Sequence, residues 1–160
     1  MKTMWTSITT ALFCVLATAA LAEGELPAEL LLRCELKVTL YFEARGKNEL
    51  HESKEVKDFR LKDGAFGSTN SPTPLGKNCK LIGNQIVCKL TMTSPTKDMI
   101  SGRPRTEWRE SSVLLNRSTG EINTRLDTKE YVGEVAKGTP DIIVGVSQLG
   151  VCRTVGKPLL

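Results

Sequence analysis

From Leu32 to Phe42 every even residue is apolar: Leu32, Cys34, Leu36, Val38, Leu40 and Phe42. The odd residues Arg33, Glu35, Lys37, Thr39 and Glu43 are polar, and Tyr41 is the one exception. Alternation sustained over that length specifies a β-strand with one buried and one wet face. A wet face belongs to an antiparallel sheet, because parallel sheets are covered on both sides.

The same period returns further along. Phe59 and Leu61 alternate with Arg60 and Lys62 in a strand from Val56 to Leu61, and Asp63-Gly64 then makes a turn. Residues 48–53, around His51, read as a polar loop, and Ser68 to Lys77 is a loop rich in Ser, Thr, Pro and Gly. Gly83-Asn84 is a two-residue hairpin signal. It sets Ile82 against Gln85, Leu81 against Ile86, and Cys79 directly against Cys88. A second hairpin runs from Ser112 to Ile122, with Gly120 suited to the left-handed position that ends its turn. Helical spacing is weak and confined to Tyr131, Val132 and Val135. The fold class expected is all-β and mainly antiparallel: a single meander rolled into a small barrel or curled sheet, with a β-sandwich as the alternative.

Residues 1–22 read as a cleavable signal peptide, with Lys2, an apolar run from Ala11 to Leu21, and small residues Ala20 and Ala22 before a cut. The run is shorter than the roughly 20 residues a spanning helix needs. Residues 23–160 then form a single β domain of 138 residues, and no later stretch is apolar enough to cross a bilayer. Its formal charge falls from +4 to +3, with 21 basic residues against 18 acidic, which says little about partners.

An exported chain keeping Cys34, Cys79, Cys88 and Cys152 implies two disulfides. Three steps out from the Gly83-Asn84 turn lies a non-hydrogen-bonded pair, whose Cα atoms stand about 4.5 Å apart, within reach of a disulfide. This predicts Cys79–Cys88 and leaves Cys34–Cys152. The chain-entropy model assigns roughly 2.7 kcal/mol to the short loop and roughly 5 kcal/mol to the long one. Ile142, Val144 and Val146 keep the even phase, whereas Leu149, Val151 and Val155 keep the odd one. Cys152 therefore requires a bulge near Gly150 to bring its side chain inside.

The turn Asn116-Arg117-Ser118-Thr119-Gly120-Glu121 and the closing Gly150-Val151-Cys152 resemble small uncharacterised periplasmic or secreted β-proteins of Gram-negative bacteria. The similarity covers the last third of the chain and rests on turn chemistry. It implies a periplasmic β-protein and carries no catalytic residue across.

Catalytic and cofactor signatures are missing from the sequence. There is no C-x-x-C, G-x-S-x-G, H-E-x-x-H or glycine-rich phosphate loop, so neither a metal nor a cofactor is expected. His51 is the only imidazole; beside Glu49 and Glu52 it has the chemistry of a general base, but no nucleophile accompanies it. Glu35 and Glu43, eight residues apart on a strand, stand roughly 26 Å apart and cannot work as a glycosidase pair. Six aromatics outside residues 1–22, in an exported chain, argue against nucleic-acid binding. The candidate interaction segment is Arg103, Arg105, Trp108 and Arg109, in a loop where three arginines surround one tryptophan.

The leading expectation is a non-enzymatic binding or interaction module of the cell envelope. Its partner is an apolar small ligand held inside the barrel, or another envelope or secreted protein held on the surface. Inhibition of a secreted hydrolase such as a protease or lysozyme, through the 68–77 loop, is the second reading, and an enzyme the third. A hollow interior favours an enclosed ligand; a filled one favours surface recognition.

Overall fold

The computed structural model describes residues 23–44, 46–97, 102–132 and 139–155. The expected signal peptide and Val135 lie outside them. The described chain is built from strands β1 (Glu23–Gly24), β2 (Glu29–Ala44), β3 (Lys47–Lys62), β4 (Ala65–Ser68), β5 (Lys77–Ile82), β6 (Gln85–Lys97), β7 (Pro104–Asn116), β8 (Glu121–Val132) and β9 (Ile142–Thr154). All pairings are antiparallel, in the order β1-β5-β6-β7-β8-β9-β2-β3-β4. Strands β2 to β9 form an eight-stranded meander in which the last strand returns beside the first, giving a nearly closed barrel with β1 as a short addition to β5.

Among the described residues the ring closes at one end only. The amide of Phe66 donates to the Gly76 carbonyl at 2.8 Å, and those of Leu75 and Gly76 return to the Phe66 carbonyl at 2.7 and 3.0 Å. The amide of Cys79 donates to Gly64 at 3.0 Å, joining β5 to the β3–β4 turn. Inside this end the even residues of β2 meet Phe59, Leu61, Phe66, Leu81, Ile86, Val113, Leu115 and Ile122 in one core. Phe59 and Phe66 stack with ring centroids 5.3 Å apart. Both disulfides are in that core, Cys34–Cys152 and Cys79–Cys88, as expected from the sequence.

The register departs from expectation in two places. Cys79 stands across from Cys88 as expected, at a Cα separation of 4.1 Å, but the ladder breaks just beyond it. The ladder runs regularly from Ile82↔Gln85 to Lys80↔Val87 and then shifts to Lys77↔Lys89, leaving one extra residue on β5. Asn78 takes up the surplus with a left-handed φ of 50°, a conformation asparagine tolerates better than most residues. At this non-hydrogen-bonded position the Cys79 amide points away from β6 and reaches the Gly64 carbonyl, which helps to close the barrel. The reverse holds on β9, where a bulge was expected and none exists. Pairing with β2 is regular from Thr154 to Ile142, with Cys34 facing Cys152 at a Cα separation of 4.0 Å. The even phase simply continues through Val146, Gln148 and Gly150 to Cys152. Gly150 interrupts the apolar pattern because a Cβ there would overlap the carbonyl oxygen of Glu35. The glycine marks close approach of two backbones.

The segment read as a polar loop around His51 is also strand. Every residue from Lys47 to Lys62 has a partner on β2, from Ala44↔Lys47 to Glu29↔Lys62. Its first half carries no buried residue, so the period-two signal is lost while the backbone ladder persists. Tyr41, the outlier of the first alternation, lies on the outer face against Gly145, whose missing side chain leaves its ring a seat. The Ser112–Ile122 hairpin behaves as expected, with Gly120 at φ 74° and the Asn116 side-chain oxygen accepting from the amides of Ser118 and Thr119.

Replacing Gly150 with alanine should force β9 off β2 and cost about 1–3 kcal/mol. Chemical denaturation of the oxidised protein measures this, and a change below about 0.5 kcal/mol would mean the strands are not so tightly apposed. Removing Cys34–Cys152 by paired serine substitution should destabilise the protein by about 2 kcal/mol more than removing Cys79–Cys88. Equal losses in the two variants would contradict the loop-length argument.

Candidate functional site

The closed half of the barrel has its interior filled by side chains. Buried Ser111 donates to the Leu75 carbonyl, holding the β4–β5 loop against the barrel, and Leu75 itself packs on the core. A Cβ at Gly76 would crowd that of Cys88, so the same loop lies directly on the disulfide. Where the core gives out, Thr124 donates to Gln148 at 3.0 Å, a buried polar pair satisfied within itself.

The segment 101–109, expected as a loop, is β-strand from Pro104 onward. Strand alternation therefore separates the expected cluster. Arg105 and Arg109 share the face of Ser111 and Val113, with Glu107 between them. Arg109 pairs with Glu107 at 2.9 Å and Arg105 with Glu130 at 3.4 Å. Trp108 is on the opposite face, across from Lys129, whose ammonium sits 5.0 Å from its ring centroid. That is cation–π distance. Arg103 precedes the strand. The four residues thus do not converge on a common point, and the two interior-side arginines have carboxylate partners.

His51 is well exposed on β3, with Nε2 3.5 Å from a Glu49 oxygen. Glu35 and Glu43 lie on one strand and face away from the core. The perturbed groups are surface pairs. Arg33 grips Asp58 through two nitrogens at 2.8 and 3.0 Å, and that hydrogen bonding holds the Asp58 carboxyl below its usual range. Lys57 lowers Glu55 in the same way, and the hydrogen bond from Tyr41 to Glu43 at 2.6 Å raises the Tyr41 phenol. None sits beside a nucleophile in a cleft, the arrangement that makes a shifted group a catalytic candidate. Among the described residues no cluster of three or more His, Cys, Asp or Glu side chains could hold a metal, and no helix is long and apolar enough to cross a membrane.

One feature of the surface was missed in the sequence. Leu149, Val151 and Val155, the odd-phase residues of the last strand, point outward and are about half exposed. Leu114 lies in their row on β7, reached through Asn123, and Val56 lies beyond Glu35 in the row of Val151. Val56 is 65 % exposed. Three shallow grooves of about 420, 440 and 490 Å³ follow this trail and join through Glu35, Val56 and Val151. Charged residues border it: Arg33, Lys37, Lys54, Glu121 and Arg153. The signal was the double phase of β9, apolar at both even and odd positions, which in a strand means two apolar faces as readily as a bulge.

Two formed disulfides are the chemistry of an oxidising, extracytoplasmic compartment. No protein-family model matches the chain, and no curated protein or solved structure matches it either.

Proposed function

We propose that the protein is a non-enzymatic binding module of the cell envelope, periplasmic or secreted, that recognises another exported protein through the outer face of β9 and its neighbours. The carrying observation is the apolar trail from Leu114 through Leu149 and Val151 to Val56, left in water on a sheet whose other face is already packed. Burying an exposed valine or leucine contributes roughly 1.5–3 kcal/mol, so a few such residues provide a substantial drive for association. Exposed apolar residues ringed by and interspersed with polar and charged ones are the usual composition of a protein-binding surface. The filled interior of the closed half favours a surface partner over an enclosed ligand.

Inhibition of a secreted hydrolase is the competing reading, and it too has structural support. Residues 69–73 are exposed while Leu75 is anchored by Ser111 and by the Phe66 bridge, so the loop is presented from a fixed base.

Capture from an envelope extract with the oxidised protein separates these readings. A partner should be retained by the wild type and by Arg103→Ala plus Arg105→Ala, and lost with Leu149→Ser plus Val151→Ser. Loss with the arginine variant instead would move the site to β7, and retention by both would remove the β9 surface from consideration. Inhibition of a protease or lysozyme at micromolar protein would favour the loop.

A further inference from the structure

Among the described residues, the barrel's open half leaves two strand edges without neighbours, and they differ in chemistry. Beyond Lys89, β6 pairs only with β7. The Arg117 amide donates to the Asn84 carbonyl, so even residues of β6 face β7 and odd ones face the vacant side. Pro95 is odd. Its missing N–H lies where an incoming strand would need a donor, a recognised way of blunting an edge.

The β3 edge has no such block. Residues 47–58 pair only with β2, and the stretch contains neither proline nor glycine. The Asp58 carbonyl accepts from Thr69 at 3.0 Å on the vacant side, so the even residues Asn48, Leu50, Glu52, Lys54 and Val56 direct their backbone groups outward. Leu50 and Val56, at 63 % and 65 %, are the most exposed large apolar residues described.

From this edge we infer that the protein forms a two-fold dimer by antiparallel pairing of β3 with β3 of a second copy, the axis passing through Ser53. In that register Glu52 faces Lys54 of the second copy, Leu50 faces Val56, Glu49 faces Lys57 and His51 faces Glu55. Each contact occurs twice by symmetry. Opposite charges and apolar residues are thus matched on both faces of the joined sheet. Leu50–Val56 and Glu52–Lys54 fall on hydrogen-bonded positions, as the backbone parity requires. Neighbouring registers fail: shifting the axis to Glu52 sets Glu52 against itself and Glu49 against Glu55, and shifting it to Lys54 sets that lysine against itself. The ladder ends at Asp58, whose carbonyl is already taken by Thr69. The existing pairs Lys37–Glu52 at 2.9 Å, which is exposed, and Lys57–Glu55 at 2.7 Å, which is half-exposed, need not break.

Sedimentation equilibrium of the oxidised protein from about 1 to about 500 µM should show a monomer–dimer equilibrium. Glu52→Lys and Lys54→Glu should each weaken the dimer about tenfold or more, because like charges then face each other twice. Mixing the two variants should restore the dimer as a one-to-one species, since each supplies the charges the other lacks. A wild type that stays monomeric, single variants that dimerise normally, or a mixture that does not reassociate would each overturn the pairing. The dimer contact shares Val56 and Lys54 with the far end of the β9 trail but not Leu149 or Val151. Loss of an exported partner with Leu149→Ser plus Val151→Ser while the dimer persists, or loss of the dimer with Glu52→Lys while the partner is retained, therefore separates this pairing from the β9 reading.

Discussion

The pairing of the first long strand with the last holds the rest of the structure in place. β2 and β9 run antiparallel over 13 residue pairs. Within that ladder Cys34 is bonded to Cys152, and Gly150 allows the backbones to meet without a side chain between them. A meander of eight strands has two ends to satisfy. Bringing them together turns a sheet into a barrel, and the sequence separation of 118 residues is why a covalent link at that point removes so much freedom from the unfolded chain.

Closure at the other seam is achieved by irregular backbone. The left-handed Asn78, the Gly76 contact on Cys88 and the Phe66 bridge each break strand regularity, and each redirects a backbone group or removes a side chain so that β4 and β5 can meet. The cost is that β4 and β5 are short, so the seam reaches only part of the way along the barrel. Long β3 and β6 continue past it with edges that no described strand covers. Their chemistry is asymmetric: β6 carries Pro95 on its vacant side, whereas β3 carries an alternating series of charges around two exposed apolar residues.

With its closed end filled, the barrel offers its remaining apolar surface on the outside, and β9 shows how one strand supplies both faces. Its even residues line the core near Cys152, and its odd residues Leu149, Val151 and Val155 meet solvent. The tryptophan–arginine segment presents less. Arg105 and Arg109 share one face and have partners in Glu130 and Glu107, while Trp108 is on the other face, covered by Lys129.

The sequence by itself determined the fold class, both disulfides and two hairpins. These depend on nearest-neighbour geometry: the period of two, the turn residues Gly83-Asn84 and Gly120, and an even number of cysteines. It also contained the apolar residues of the outer surface, but the double phase of β9 read as a register problem, because one strand does not show which of its faces is covered. Only the tertiary structure decided that Gly150 is a point of strand contact, that the polar run around His51 is strand, and that Arg105 and Arg109 stand apart from Trp108. The physical reason is common to all three. A strand acquires its faces and its edges from its neighbours, and β2, β8 and β9 come from distant parts of the chain.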